Sequence, residues 1–140
     1  MRKSSLIILL VLISISCKND QAVESDLKSP YELWKSKNIH NYSIDQIRFC
    51  FCPDAGQLVR ITVRSDTIQN IIRLSDDNKI TYPFYYTIDS LFGIINKSKN
   101  DSLVIRYNSL YDYPEYLDIN PQLHPVDGGV LYETSNLHAE

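Results

Sequence analysis

The sequence predicts an α+β domain of two layers, an antiparallel sheet with two helices on one face, in the order αβββαβββ. Three observations point there. Two helix starts carry capping residues, at Ser29 and at Thr87. Alternating apolar runs follow each helix in groups of three. The polar and proline-containing punctuation between most runs is short enough for hairpins, and hairpins with helices segregated to one face make the simplest such fold.

Ser29, Pro30, Tyr31 and Glu32 supply an N-cap, a first-turn proline and the acceptor of a capping box, with Leu33 and Trp34 as the buried stripe and an end near Asn38. From residue 41 to residue 52 a strand places Ile47, Phe49 and Phe51 on one face and Arg48, Cys50 and Cys52 on the other. Pro53, Asp54, Ala55 and Gly56 are turn chemistry. Val59, Ile61 and Val63 then alternate with Arg60, Thr62 and Arg64, and Ser65 and Asp66 allow a tight reversal into a strand over 67–74. These three strands form a meander that closes at the polar turn 76–79.

The second half opens on the aromatic segment 82–86. Thr87 is the N-cap of a helix with Asp89 at the positive end of the dipole, and Ile88, Leu91, Phe92 and Ile95 share one face. Residues 96–101 end it. Strands follow at 103–107, 115–119 and 130–134, with Pro114 admissible at a strand start. The two halves share this order but no alignable residue pattern.

The amino terminus predicts a compartment. Arg2 and Lys3 precede an apolar run over 6–13, and Ser16 stands before Cys17, the layout of a cleaved signal peptide. The run is far shorter than the roughly 20 residues of a spanning helix. Ser16-Cys17 matches a lipobox, whereas Ser14 departs from its usual leucine. The expected division is therefore a lipoprotein signal peptide at 1–16, lipidation at Cys17, a polar tether at 17–29 and one domain at 30–140. The competing reading has an ordinary secretory peptidase cut nearby, leaving Cys17 a free thiol or removing it. Lys18 after the cysteine favours outer-membrane over inner-membrane sorting. Loss of Arg2 and Lys3 reduces 14 basic residues to 12 against 17 acidic ones, moving the net charge from −3 to −5. With no Lys and Arg cluster to displace phosphate counterions, the chain is not expected to bind nucleic acid.

The runs Asn41-Tyr42-Ser43, Cys50-Phe51-Cys52, Thr87-Ile88-Asp89-Ser90-Leu91-Phe92, Arg106-Tyr107-Asn108 and Tyr113-Pro114 occur in one order. Together they resemble the bacterial family called domain of unknown function 6174, over about residues 34–132. Where that pattern has a Tyr-Asp pair and a Gly-Tyr-Pro turn, this chain has Tyr107-Asn108 and Asp112-Tyr113-Pro114. The resemblance implies a secreted or lipid-anchored bacterial domain with no assigned activity.

Cys50 and Cys52 are the most distinctive pair. On a regular strand their Cα atoms would lie about 6.6 Å apart, near the upper end of the disulfide range. Pro53 and its turn offer the kink that a disulfide would need, and an oxidising envelope favours the bond. The alternatives are a reducible disulfide or thiolate pair for a soft metal, and two inert thiols. His40, His124 and His138 fall at no ligand-like spacing from the pair, so no cofactor is expected. Eight of the ten tyrosines follow residue 80, which strand packing explains for most. Tyr111 and Tyr113 sit in a turn and read as an interaction surface for an envelope protein. The chain has no Gly-x-Ser-x-Gly elbow, no His-Glu-x-x-His and no phosphate loop. Asp118, Asn120, His124 and Asp127 are the remaining acid-base or cation-binding cluster. The expectation is a lipid-anchored interaction or structural module, with a redox or metal-responsive domain as the alternative and an enzyme third.

Overall fold

The computed structural model describes residues 28–53, 55–81 and 83–140. The signal segment, Cys17, nearly all of the tether, Asp54 and Tyr82 lie outside the described residues.

Helix α1 (Pro30–Ser36) starts as its sequence dictates: the Glu32 amide donates to Ser29 Oγ at 3.3 Å, and the Ser29 amide donates to Glu32 Oε2 at 2.7 Å. Strands β1 (Tyr42–Phe49), β2 (Val59–Arg64) and β3 (Thr67–Arg73) form the meander. Ser65 and Asp66 both take positive φ, 47° and 62°, as a two-residue hairpin turn requires. After α2 (Ile88–Lys97), strands β4 (Leu103–Tyr107), β5 (Pro114–Ile119) and β6 (Val130–Ala139) make a second meander, with a 3-10 helix at Pro121–Val126 before β6.

The two meanders are joined along their first and last strands. The sheet order is β3-β2-β1-β6-β5-β4 and every pairing is antiparallel. β6 runs past the expected residue 134 and pairs with β1 from Phe49↔Leu131 to Tyr42↔Ala139, shifting register between Ser43 and Asp45. Asn136 takes a positive φ of 53° opposite that shift, and its side chain reaches Asp45 Oδ2 at 3.0 Å.

The expected two-layer α+β fold is corrected here. The molecule is mostly one six-stranded antiparallel sheet, with 39% of the described residues in strand and two short α-helices. Six strands span about 24 Å, whereas helices of seven and ten residues reach only about 10 and 15 Å. They plug the core without forming a second layer. Trp34 of α1 and Ile88, Leu91 and Phe92 of α2 are buried with Tyr42, Ile44, Val59, Ile61, Val63, Ile71, Leu117 and Tyr132 of the sheet.

Two buried polar side chains fix where α2 begins. Gln46 accepts from the Tyr86 amide at 3.0 Å and donates to the Tyr86 carbonyl at 3.3 Å, pairing as a strand would. The Tyr42 hydroxyl accepts from the Ile88 amide at 3.0 Å while Thr87 Oγ1 accepts from that of Ser90 at 3.1 Å, so two of the free amides at the helix start are satisfied.

On the opposite face Asp45 is 2% exposed. Arg60, its register partner, grips it through Nε to Oδ1 at 2.7 Å and Nη2 to Oδ2 at 2.8 Å. Burial alone would push this carboxyl up, but the hydrogen bonds from Arg60 and Asn136 and the Arg60 charge outweigh it and hold it below the usual range.

Candidate functional site

Strand β1 ends at Phe49, three residues short of the expected end, because residues 50–53 bend away from the sheet. Gly56 turns the chain back with a φ of 76° and donates its amide to the Arg48 carbonyl at 2.7 Å. Within this bend Cys50 and Cys52 are joined as a disulfide, with Cα atoms 5.2 Å apart. Both are half-buried, and with Phe51 and Pro53 they line a depression of about 380 Å³. The disulfide places the two sulfurs against each other, so in this state they offer no thiolates to a metal. Among the described residues no three His, Cys, Asp or Glu side chains converge to hold one.

Arg48 lies beneath the bend. Its Nη2 donates to Cys52 Sγ at 2.9 Å, and its guanidinium carbon stands 4.4 Å from the Phe84 ring centre. Its Nε is buried with no hydrogen-bond partner, and among the described residues no carboxylate forms an ion pair with it. Two exposed rings adjoin this bend: Phe51, 74% exposed, lies between the cysteines, and Phe84, 47% exposed, covers Arg48, whereas Phe49, 40% exposed, follows Arg48 on β1 and so faces the other side of the sheet. The sequence pattern marks Arg48 and Phe49 only as strand residues and Phe84 only as part of the aromatic segment 82–86. The signal was there for Arg48, since period-2 alternation puts it on the face of Cys50 and Cys52.

The Tyr111 and Tyr113 surface is corrected. Tyr113 is 3% exposed and belongs to the core, where burial pushes its phenol up to about 12. Tyr111 is partly buried against the same cluster. The turn that carries them is folded inward: Asn108 Oδ1 accepts from the amides of Leu110 and Tyr111 at 3.1 and 3.0 Å, and Lys37 of α1 pairs with Asp112 at 3.1 Å. A buried ring presents no contact area to a partner.

The acidic cluster divides. His124 Nε2 lies 2.9 Å from Asp118 Oδ1, and a Cβ at Gly129 would collide with the imidazole, so the glycine makes room for it. The Tyr116 hydroxyl donates to Asp118 Oδ2 at 3.2 Å, and Arg106 stacks 3.9 Å from the Tyr116 ring centre. Asn120 is taken up in a loop clasp instead, accepting from the Ser102 amide and donating to Asp101. Asp127 is exposed at a left-handed turn. A groove of about 700 Å³ between α1, α2 and β4 has Tyr31, Phe92, Ile95, Leu103 and Tyr107 in its lining. Its acid Asp89 is already paired with Lys35.

Most residues of the five runs that carry the family resemblance are thereby spent on the core or on helix and turn ends: Tyr42, Ile88, Leu91, Phe92 and Tyr113 are buried, and Asn41 accepts from the Ser65 amide. Cys50-Phe51-Cys52 is the run that contributes nothing to the core clusters. Fold and site thus define a class: a single-sheet antiparallel domain with a Cys-x-Cys disulfide at an exposed aromatic end. Residues 26–139 match the family of unknown function DUF6174, and the chain belongs to that family. No curated protein and no solved structure matches it.

Proposed function

We propose that this chain is a lipid-anchored protein of the bacterial cell envelope whose folded domain is a docking module for another envelope protein. The sequence features at Arg2, Lys3, the run 6–13 and Cys17 support the anchor, and Lys18 supports outer-membrane placement. The division into a signal peptide at 1–16, a tether at 17–29 and a domain at 30–140 belongs to this reading.

The observation that carries the docking reading is Phe51, 74% exposed between two bonded cysteines, with Phe84, 47% exposed, over the Arg48 that binds Cys52. Burying such a ring in a partner would remove its apolar surface from water at about 25 cal/mol per Å². A short disulfide loop also holds the ring in place, which lowers the entropy lost on association.

Two experiments test it. Radiolabelled palmitate should enter the wild-type chain and not Cys17→Ala; equal labelling overturns the anchor. A photo-crosslinking residue at position 51 should give one defined protein adduct in intact envelopes, and the same probe at exposed Gln69 on β3 should not. Equal adducts from both positions, or none from position 51, overturn the docking face.

A further inference from the structure

The Cys50–Cys52 bond closes a loop of three residues. By the chain-entropy argument so short a loop removes only about 1.6 kcal/mol from the unfolded state. Neither cysteine belongs to the buried core clusters. The bond therefore contributes little to holding the sheet together, although it flanks Phe51, the most exposed aromatic ring among the described residues.

Its two sulfurs are also unequal. Arg48 donates to Cys52 Sγ at 2.9 Å, and no such donor reaches Cys50 among the described residues. Arginine stays protonated at any physiological pH. Among the described residues Nε has no hydrogen-bond partner and no carboxylate forms an ion pair with the guanidinium, whose charge stands next to one sulfur and not the other. A neighbouring arginine stabilises a thiolate, and the sulfur that is the better thiolate is the better leaving group. The Phe84 ring covers the guanidinium, and Tyr132, register partner of Arg48, is a buried neutral phenol.

We infer that Cys50–Cys52 is a thiol–disulfide exchange centre for a dithiol of the docked protein, with Cys50 the sulfur attacked and Cys52 the leaving thiolate held by Arg48. The protein substrate reaches the bend through the docking face proposed above, so this inference rests on that reading; the order of events at the sulfurs does not.

In the first step the electron pair of a partner thiolate forms a bond to Cys50 Sγ. The Cys50–Cys52 bond breaks, and its electron pair leaves on Cys52 Sγ beside Arg48. In the second step the other partner thiolate attacks the partner sulfur of the mixed disulfide. A disulfide forms within the partner, and Cys50 leaves as a thiolate that takes a proton from water. Two electrons pass from the partner dithiol to the pair. A reduced pair meeting a partner disulfide runs the same steps backwards.

The test uses the full chain and dithiothreitol, which needs no docking face. Arg48→Gln should slow reduction of the disulfide about tenfold, and Arg48→Lys should restore most of the rate. In the fully reduced wild type, alkylation by iodoacetamide followed residue by residue should show Cys52 becoming reactive at lower pH than Cys50. Arg48→Gln should bring the two profiles together. An unchanged reduction rate in Arg48→Gln overturns the inference. So do coincident alkylation profiles in the wild type, which decide the matter even if the variants fail to fold. Phe51→Ser should leave dithiothreitol reduction within twofold. Loss of the position-51 adduct with the sulfur asymmetry intact sinks docking alone, and the converse sinks exchange alone.

Discussion

The turn at residues 108–113 and the bend at residues 49–56 both follow a strand ending in an aromatic residue, Tyr107 in one case and Phe49 in the other. Both carry further rings, and they bury them to opposite degrees. In the first, Asn108 satisfies two turn amides, Lys37 anchors Asp112 to α1, and Tyr113 drops into the core at 3% exposure. In the second, among the described residues, a disulfide, a backbone hydrogen bond from Gly56 and the Arg48 bond to Cys52 shape the bend, and Phe51 is 74% exposed. Where a turn's backbone is satisfied from within and a neighbouring helix grips it, its rings are drawn into the core. Where a local covalent link does the shaping, the ring is left free for a partner.

The largest effect that could break this contrast is at Tyr113. Tyr113→Ala should cost about 3–5 kcal/mol in urea unfolding, as expected for emptying an aromatic core position. A cost below about 1 kcal/mol would show that the turn is not part of the core.

Next comes the face that no helix covers. Arg60→Ala should cost about 2 kcal/mol, because Asp45 stays buried without its bidentate partner. The sign with pH follows from the lowered Asp45 carboxyl. Its contribution is full above the unfolded-state value near pH 4 and is lost as pH falls through the lower folded-state value. Unfolding followed from pH 7 to pH 2 should therefore show a steeper acid loss in the wild type than in Arg60→Ala; equal slopes would sink this account.

The smallest effects sharpen the contrast from the exposed side. Replacing both Cys50 and Cys52 with serine should cost no more than about 1.6 kcal/mol. Phe51→Ser should change thermal stability by less than about 0.5 kcal/mol while removing capture through the aromatic face. A larger loss from Phe51→Ser would mean that the ring packs against its own domain.

Much of the fold was legible because it is local. The Ser29 and Thr87 caps, the Ser65-Asp66 reversal and the alternation of Val59, Ile61 and Val63 each depend on residues a few positions apart, and each stands where the sequence put it. The site was legible in part: Cys50 and Cys52 were singled out from spacing, and Arg48 shared their face by alternation. Tyr111 and Tyr113 were misplaced because composition reports that a residue sits in a turn, and says nothing of whether another element lies over that turn.

The sequence by itself determined the two α-helices and six strands in their order, the absence of a basic cluster and the short loop between two cysteines, but neither the 3-10 helix before β6 nor the ends of β1 and β6. Tertiary structure alone decided that the first and last strands meet at the centre of the sheet, 90 residues apart for Asp45 and Ser135. It also decided that Gln46 and Tyr42 seat the start of α2, that the helices are too short to make a layer, and which aromatic turn is buried. The physical reason is one of range. Caps, hairpins and alternation are read from neighbours along the chain, whereas burial and strand pairing depend on groups that only the folded chain brings within reach of one another.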